Sequence, residues 1–184
     1  MIILGIDPGL ANTGWGVVEQ LGSRCRCLAY GCITTSPEEP LSGRLARVHD
    51  ELAAVIERYA PTEASVESVY FSTNAKTAFA TGQARGVAVL ATARAGLELA
   101  EYGPGEIKLA IVGTGSAEKE QVQYMVRVVL GLPGVPQPDH AADALAAAIC
   151  HAHHVGPAAG VASAGTSRGA PTSGLSDVPT DVAS

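Results

Sequence analysis

Cysteine is scarce in this chain and carries no pattern. Cys25, Cys27, Cys32 and Cys150 include no CxxC pair and no metal-finger spacing, so a thiolate metal site finds no support. No signal peptide precedes the first apolar run, and reduced thiols in a cytoplasmic protein are the expectation. Long hydrophobic runs are lacking too. The longest apolar stretches are broken by Arg94, Glu98 or Asp143, and none approaches the ~20 residues that span a bilayer. No membrane association is expected. Positive charge is also short: 12 Lys and Arg stand against 18 Asp and Glu, for a net charge of -6. That balance disfavours loose, sequence-blind attraction to nucleic acid. It changes meaning if several of the acids form one site whose charge bound cations cancel.

What is present suits a single domain. Hydrophobic residues make up 47% of the 184 positions and charged residues 16%, enough for a real core without covalent staples. The composition changes after His154. Residues 155–184 are mostly Gly, Ala, Ser, Thr, Pro and Val, with Arg168, Asp177 and Asp181 as the only charges. Such a segment cannot offset its ordering entropy, so the expected division is a folded domain over 1–154 and a disordered tail over 155–184.

Within the domain, Ile2–Ile6 reads as a buried strand and Gly14–Glu19 as its hairpin partner across a Gly- and Asn-containing turn. Cys27–Thr35 reads as a third strand. Leu45, Val48, Leu52, Val55 and Ile56 recur at helical spacing, which predicts a helix over Leu41–Tyr59 closed by Pro61. A strand over Ala64–Tyr70, a helix over Asn74–Leu97 and a short strand over Leu99–Tyr102 follow. Gly103-Pro104-Gly105 reads as a break before a short helix over Glu106–Val112. The next helix is expected to be capped by Ser116 and to end at Leu130 before Gly131. A final helix over Asp139–His151 is apolar almost all round, which predicts burial. Three strands followed by alternating helices and strands give an α/β fold with a mixed central sheet flanked by helices, in an RNase H-like order.

The acids fall where such a fold places ligands. Asp7 and Glu67 each close an apolar strand, and sites in open α/β sheets lie beyond the carboxyl ends of strands. His140 and Asp143 share one face of the final helix, three residues apart. Left empty, such a cluster would repel itself and lift its own pKa values; a divalent cation removes that cost. Oxygen ligands favour Mg²⁺ or Mn²⁺, and an imidazole tilts the choice toward Mn²⁺. Each residue also has a plainer reading. Asp7 could initiate a turn, Glu67 could face solvent, Asp139 could be the helix cap and His140 could be structural. Asp143 sits inside "HAADALAAAIC", where an unpartnered ionised acid is costly.

Four blocks then make a resemblance specific. "GIDPGLANTGWGVV", "VESVYFSTNAKTAFATGQARGVA", "GTGSAEKEQVQYMV" and "PDHAADALAAA" resemble, in order, the signature regions of RuvC Holliday-junction resolvases. The resemblance covers most of residues 1–154. It implies an RNase H-like endonuclease that acts as a homodimer, nicks four-way DNA junctions symmetrically in recombination and repair, and works beside the RuvAB branch-migration complex. Carried across by motif, Asp7, Glu67 and Asp143 match three of the family's acids, and His140 takes a position where many members have Asp. Those four are the expected catalytic and metal-holding residues, with two Mg²⁺ or Mn²⁺ ions per site. The product implied is a nick with 5′ phosphate and 3′ hydroxyl.

For the DNA, Tyr70 and Phe71 either pack in the core or stack on unpaired bases, and the family uses aromatics here. Asn74 and Lys76 are expected DNA contacts. Lys108 and Lys119 align with family lysines near the cleaved strand; the alternative is ordinary helix surface. Arg85 serves either DNA or the dimer. The stretch Val87–Ala95 and the helix before it are the candidate dimer interface, with core packing as the alternative. The rival functions are an RNA-processing nuclease of the YqgF type and a non-catalytic junction-binding module. An actin-like ATPase would need a duplicated domain, which this length does not hold.

Overall fold

A computed structural model describes residues 1–68 and 75–156; of residues 75–77 it gives the backbone. Three antiparallel strands, β1 (Ile2–Asp7), β2 (Asn12–Leu21) and β3 (Arg24–Thr34), open the chain. Helix α1 (Leu41–Tyr59), strand β4 (Glu63–Glu67), helix α2 (Ala75–Arg94) and strand β5 (Leu99–Tyr102) follow. Three helices complete the domain: α3 (Pro104–Val112), α4 (Lys119–Leu130) and α5 (Asp139–Val155). The sheet order is β3-β2-β1-β4-β5, with β4 and β5 parallel to β1, so the expected mixed sheet forms.

Strand alternation decides which face each acid takes. Leu4, Ile6, Ala64 and Val66 point to one side of the sheet, where Val48, Leu52, Val55 and Ile56 of α1 and Ala88 and Ala91 of α2 cover them. Ile3 and Val18 point to the other, against Leu145, Ile149 and neighbouring alanines of α5 and the buried residues of α3 and α4. Asp7 shares the parity of Ile3 and Gly5, and Glu67 that of Glu63 and Ser65. A two-residue period therefore aims both carboxylates at α5.

Helix α5 lies unusually close to the sheet because both surfaces are pared down. Its buried face is alanine-rich, from Ala141 and Ala142 through Ala144 and Ala146–Ala148. Opposite it, a Cβ on Gly5 would stand 1.9 Å from the Ala144 carbonyl oxygen, and one on Gly14 would stand 1.9 Å from that of His140. At Gly16 it would meet the Leu145 side chain at 2.6 Å. The contact is thus close to backbone on backbone, and any side chain at Gly5 or Gly14 would push α5 away. At the far end Gln20 Nε2 donates to the carbonyls of Ala152 and Gly156 at 2.8 and 2.9 Å, tying the helix terminus to β2. A second buried tie runs from Glu63 through His151 to Tyr102, at 2.5 and 2.8 Å.

Several element boundaries differ from the sequence expectation, each for a local reason. Helix α4 is capped not by Ser116 but by Glu118, whose backbone N–H donates to Gln121 Oε1 at 3.1 Å in a capping box. Helix α3 starts at Pro104 rather than Glu106: a proline at the first helical position loses only an N–H that has no helical partner. Strand β4 ends at Glu67, and Ser68 lies beyond it. Helix α2 ends at Arg94, three residues early, with Gly96 in the left-handed region at φ 72. Asp139 is the first residue of α5 and Pro138 its cap, so the capping role expected of Asp139 is not the one it has. Tyr70, Phe71 and Asn74 lie outside the described residues, as does the tail beyond Gly156; Lys76 lies in the first turn of α2.

Candidate active site

The N-terminus of α5 meets the carboxyl end of β1. Asp7 pairs with Gly14 in the β1–β2 register, and the His140 carbonyl rests on Gly14, so His140 and Asp7 become neighbours. Imidazole Nδ1 lies 2.6 Å from Asp7 Oδ2. One turn along the helix comes Asp143, and ligand atoms from Asp7, His140 and Asp143 all lie within 4.8 Å of one another. Two carboxylates and an imidazole at that separation fit a divalent cation.

Glu67 is not one of that trio. It lines an adjoining cleft of about 250 Å³ together with Lys108, Lys119 and Asp143, over a floor of Ile107, Val122 and Ala146. Its carboxyl is nonetheless part of the same electrostatic system. Burial, and then the charges of Asp7 and Asp143, push its pKa up to about 7, against a weaker opposing pull from Lys119 and Lys108. Burial also raises Asp143, with Lys119 holding it back. The hydrogen bond to Asp7 raises His140, outweighing the effect of burial. Burial and mutual repulsion thus disfavour the ionised carboxylates here, a cost that a divalent cation would relieve.

Lys119 Nζ bridges two acids, 3.1 Å from Asp143 Oδ2 and 3.2 Å from Asp139 Oδ2. Burial pulls the ammonium pKa down, but the paired carboxylates more than offset this and raise it. Asp139 is lowered by the same contact. Lys119, exposed on α4, thus carries two ion pairs, and one of its partners is Asp139, expected as a cap of α5. A carboxylate adjacent in sequence to His140 was the signal available for that pairing, and it points to the lysine rather than to the trio. Lys108 shares the cleft with Glu67. Arg85 forms an ion pair with Glu101 at the edge of the sheet, away from this cleft's lining.

On the other side of His140 a second cleft, of about 350 Å³, is lined by Gly9, Leu10, Ala11 and Asn12 of the β1–β2 turn, by Arg44 of α1 and by Ala80 and Thr81 of α2. The turn is held tightly. Thr13 Oγ1 donates to the Gly9 carbonyl at 2.7 Å, and Thr35 Oγ1 donates to that of Leu10 at 2.5 Å. The Asp7-Pro8-Gly9 turn thus both ends β1 and forms the wall of a groove, so the turn and ligand readings of Asp7 are compatible.

Among the described residues, no helix is long and apolar enough to cross a membrane.

The family model described as crossover junction endodeoxyribonuclease RuvC matches residues 3–151. Crossover junction endodeoxyribonuclease RuvC of Desulforamulus reducens is 51% identical over 152 residues, 83% of this chain and 93% of that one. The protein of the same name from Rubrobacter xylanophilus is 51% identical over 162 residues, 87% of this chain and 90% of its own. Among solved structures, Thermus thermophilus RuvC aligns with a TM-score of 0.79 at 39% identity, covering 84% of this chain and 95% of that one. The same protein in complex with a Holliday junction substrate aligns at 0.81 and 40% identity, covering 84% and 94%. A mixed sheet, two carboxylates and an imidazole gathered at the end of its first strand, and matches of this length agree: the chain belongs to the RuvC family of crossover junction endodeoxyribonucleases.

Proposed function

We propose that the protein resolves four-way DNA junctions by hydrolysing one phosphodiester in each of two equivalent strands. The observation that carries this reading is the meeting of Asp7, His140 and Asp143 donor atoms within 4.8 Å, beside a cleft that holds Glu67 and two lysines. Family membership supplies the substrate class: the T. thermophilus relative is solved with a Holliday junction substrate.

Asp7, Asp143 and His140 would hold a divalent cation, with Glu67 completing a shell for a second. Bound there, Mg²⁺ or Mn²⁺ supplies Lewis-acid activation of water and neutralises charge on the leaving oxygen. The residues themselves do the positioning. Asp7 stands at the centre because its carboxylate contacts the imidazole and lies within 4.8 Å of the donor atoms of His140 and Asp143. His140 donates Nδ1–H to Asp7 in its neutral form, which leaves Nε2 as an acceptor for a cation or for the proton of an attacking water. Glu67, raised to about 7 by burial and by Asp7 and Asp143, would give up its proton as a cation binds beside it. Lys119 and Lys108 face the same cleft, where an ammonium can hold a phosphate oxygen and stabilise charge that develops on it.

Paired nicks require two such sites related by a two-fold axis. Helix α2 supports a homodimer. Phe79 is 71% exposed and Leu90 50% exposed, and they lie on one face with Gly82 and Gly86. Among the described residues, beyond the helix's own backbone, no atom lies within 4 Å of where a Cβ on either glycine would stand, which leaves a shallow furrow between two large apolar side chains. That face fits a second copy of the same helix. Tyr70, Phe71, Asn74 and Lys76 are assigned to the junction, the aromatics as stacking groups. Arg85 is assigned to DNA or to the dimer, in either case giving up its pairing with Glu101. Family membership likewise carries the RuvAB complex as the expected partner.

The test is to incubate the full chain with a synthetic four-way junction and with linear duplex, in Mg²⁺, in Mn²⁺ and in EDTA. Paired symmetric nicks on the junction, dependent on the cation, are expected. Equal cutting of linear duplex, or cutting in EDTA, would overturn the reading, and preference for structured RNA would favour an RNA-processing nuclease.

A further inference from the structure

The Asp7, His140 and Asp143 cluster lies between two clefts, and among the described residues Lys108 and Lys119 line only one of them. Asp143 borders the cleft with Glu67, Lys108 and Lys119, whereas His140 borders the cleft made by the β1–β2 turn, α1 and α2. A strand whose phosphate reaches the trio must send its chain into both. Each phosphate entering a groove loses hydration and counterions, so the second cleft needs a cation of its own.

We propose that Arg44 is that cation: a phosphate-binding residue in the second cleft that holds the cut strand on the His140 side. This rests on the reading of the chain as a junction nuclease. Its charge is uncommitted in a way that the other arginines near acids are not. Arg26, Arg47 and Arg85 are each neutralised by a carboxylate, from Glu19, Glu39 and Glu101. Among the described residues Arg44 has no such partner. Its Nε donates to Thr35 Oγ1 at 2.8 Å, and the residue is part-buried where it lines the cleft. That single bond uses one of five donors and leaves both terminal nitrogens for a bidentate contact to a phosphate.

The residue is also preorganised. Thr35 Oγ1 accepts from Arg44 and donates to the Leu10 carbonyl, so one hydroxyl fixes both the arginine and the turn opposite it. The Thr35 N–H adds a bond to the Ala11 carbonyl at 2.9 Å. Gly9 cannot bear a side chain without meeting the Asn12 carbonyl at 2.5 Å, which keeps this wall low and leaves backbone facing the groove. An arginine held in this way loses little rotamer freedom when a phosphate arrives.

Full-length wild type, Arg44→Ala, Arg44→Lys and Thr35→Val are compared for binding to a four-way junction without divalent ions. A second set of junctions carries a single neutral methylphosphonate at each position flanking the cut. Arg44→Ala is expected to weaken binding about ten-fold and to reduce the slope of log affinity against log salt by roughly one. At one flanking position the methylphosphonate should cost wild type about as much and cost Arg44→Ala nothing further. Arg44→Lys should recover the salt slope but only part of the affinity. Thr35→Val, which keeps the charge and loosens the turn, should keep the slope; it also separates charge from scaffold if Arg44→Ala melts early. An unchanged slope in Arg44→Ala, or methylphosphonate penalties that add to it at every position, would overturn the assignment while leaving junction binding by wild type intact. Failure of wild type to prefer the junction would instead remove the nuclease reading itself.

Discussion

The carbonyl oxygen of His140 occupies the space where a side chain on Gly14 would stand, 1.9 Å from its ideal Cβ. That one approach fixes how far α5 sits from β2, and so how far His140 and Asp143 sit from Asp7. Replacing Gly14 by Ala should therefore harm the site through its scaffold. We expect a loss of about 3 kcal/mol in stability, at the upper end for overpacking, together with loss of cleavage. Gly86→Ala is the stability control, because among the described residues nothing lies within 4 Å of an added Cβ and the position is mid-helix. It should leave the monomer as stable or slightly more so. Thermal melts measure both, and junction cleavage measures Gly14→Ala, since Gly86 lies on the proposed dimer face.

Asp7→Asn should abolish cutting while sparing junction binding, since it removes charge from the trio without changing shape. It carries a second signature. The Asp7 carboxylate holds His140 above its ordinary pKa, so in the Asn variant the imidazole should titrate lower, which NMR of the ring protons reads directly. A His140 titration that stays put would contradict the 2.6 Å contact.

Glu67 makes the cation-free protein sensitive to pH in a defined sense. Its folded pKa of about 7 lies above its ordinary value, so between roughly pH 4.5 and 7 the folded state binds more protons than the unfolded. Stability should then fall as pH rises through that window. The raised pKa of His140 acts in the same sense, its contribution being full below about 6.5 and lost as pH rises through the folded value. Glu67→Gln should remove the carboxylate's share and raise the Tm at pH 8 by a few degrees without divalent ions, while impairing cleavage. Added Mn²⁺ should stabilise wild type more at pH 8 than at pH 6, because protons compete for the same donors. A melt independent of both pH and Mn²⁺ would count against the site.

Lys119→Met removes the ammonium that Asp143 and Asp139 share. If that ammonium stabilises charge on the reacting phosphate, turnover should fall about 10²-fold, with a much smaller change in junction affinity. Asp139→Asn should act more weakly in the same direction, since Lys119 keeps its bond to Asp143.

A charged residue on the furrow of α2 tests the dimer. Gly86→Glu should leave the monomer folded, because the site faces open space, yet lower the molecular mass in solution by half and uncouple the two nicks. Sedimentation and the yield of doubly nicked junction distinguish these outcomes.

Much of this was legible from local pattern. Period-2 alternation places Asp7 and Glu67 at strand ends on one face, helical spacing pairs His140 with Asp143, and the apolar run after Pro138 marks a buried helix. Those signals depend only on neighbouring residues and on backbone periods of 2 and 3.6. They do not depend on how elements dock.

Tertiary structure alone decided the rest. Sequence could list Gly5, Gly14 and Gly16 but not show that they face Ala144, His140 and Leu145 of α5, because each pair lies more than 120 residues apart. Nor could it show that Asp139 pairs with Lys119 or that Thr35 joins Arg44 to the Leu10 carbonyl. The three-donor cluster and the separate place of Glu67 are likewise matters of distance. Sequence determined which chemical groups exist and which face of each element they occupy. The approach of α5 to the sheet determined which of them act on one another, because charge and coordination fall off over a few ångströms that no local pattern encodes.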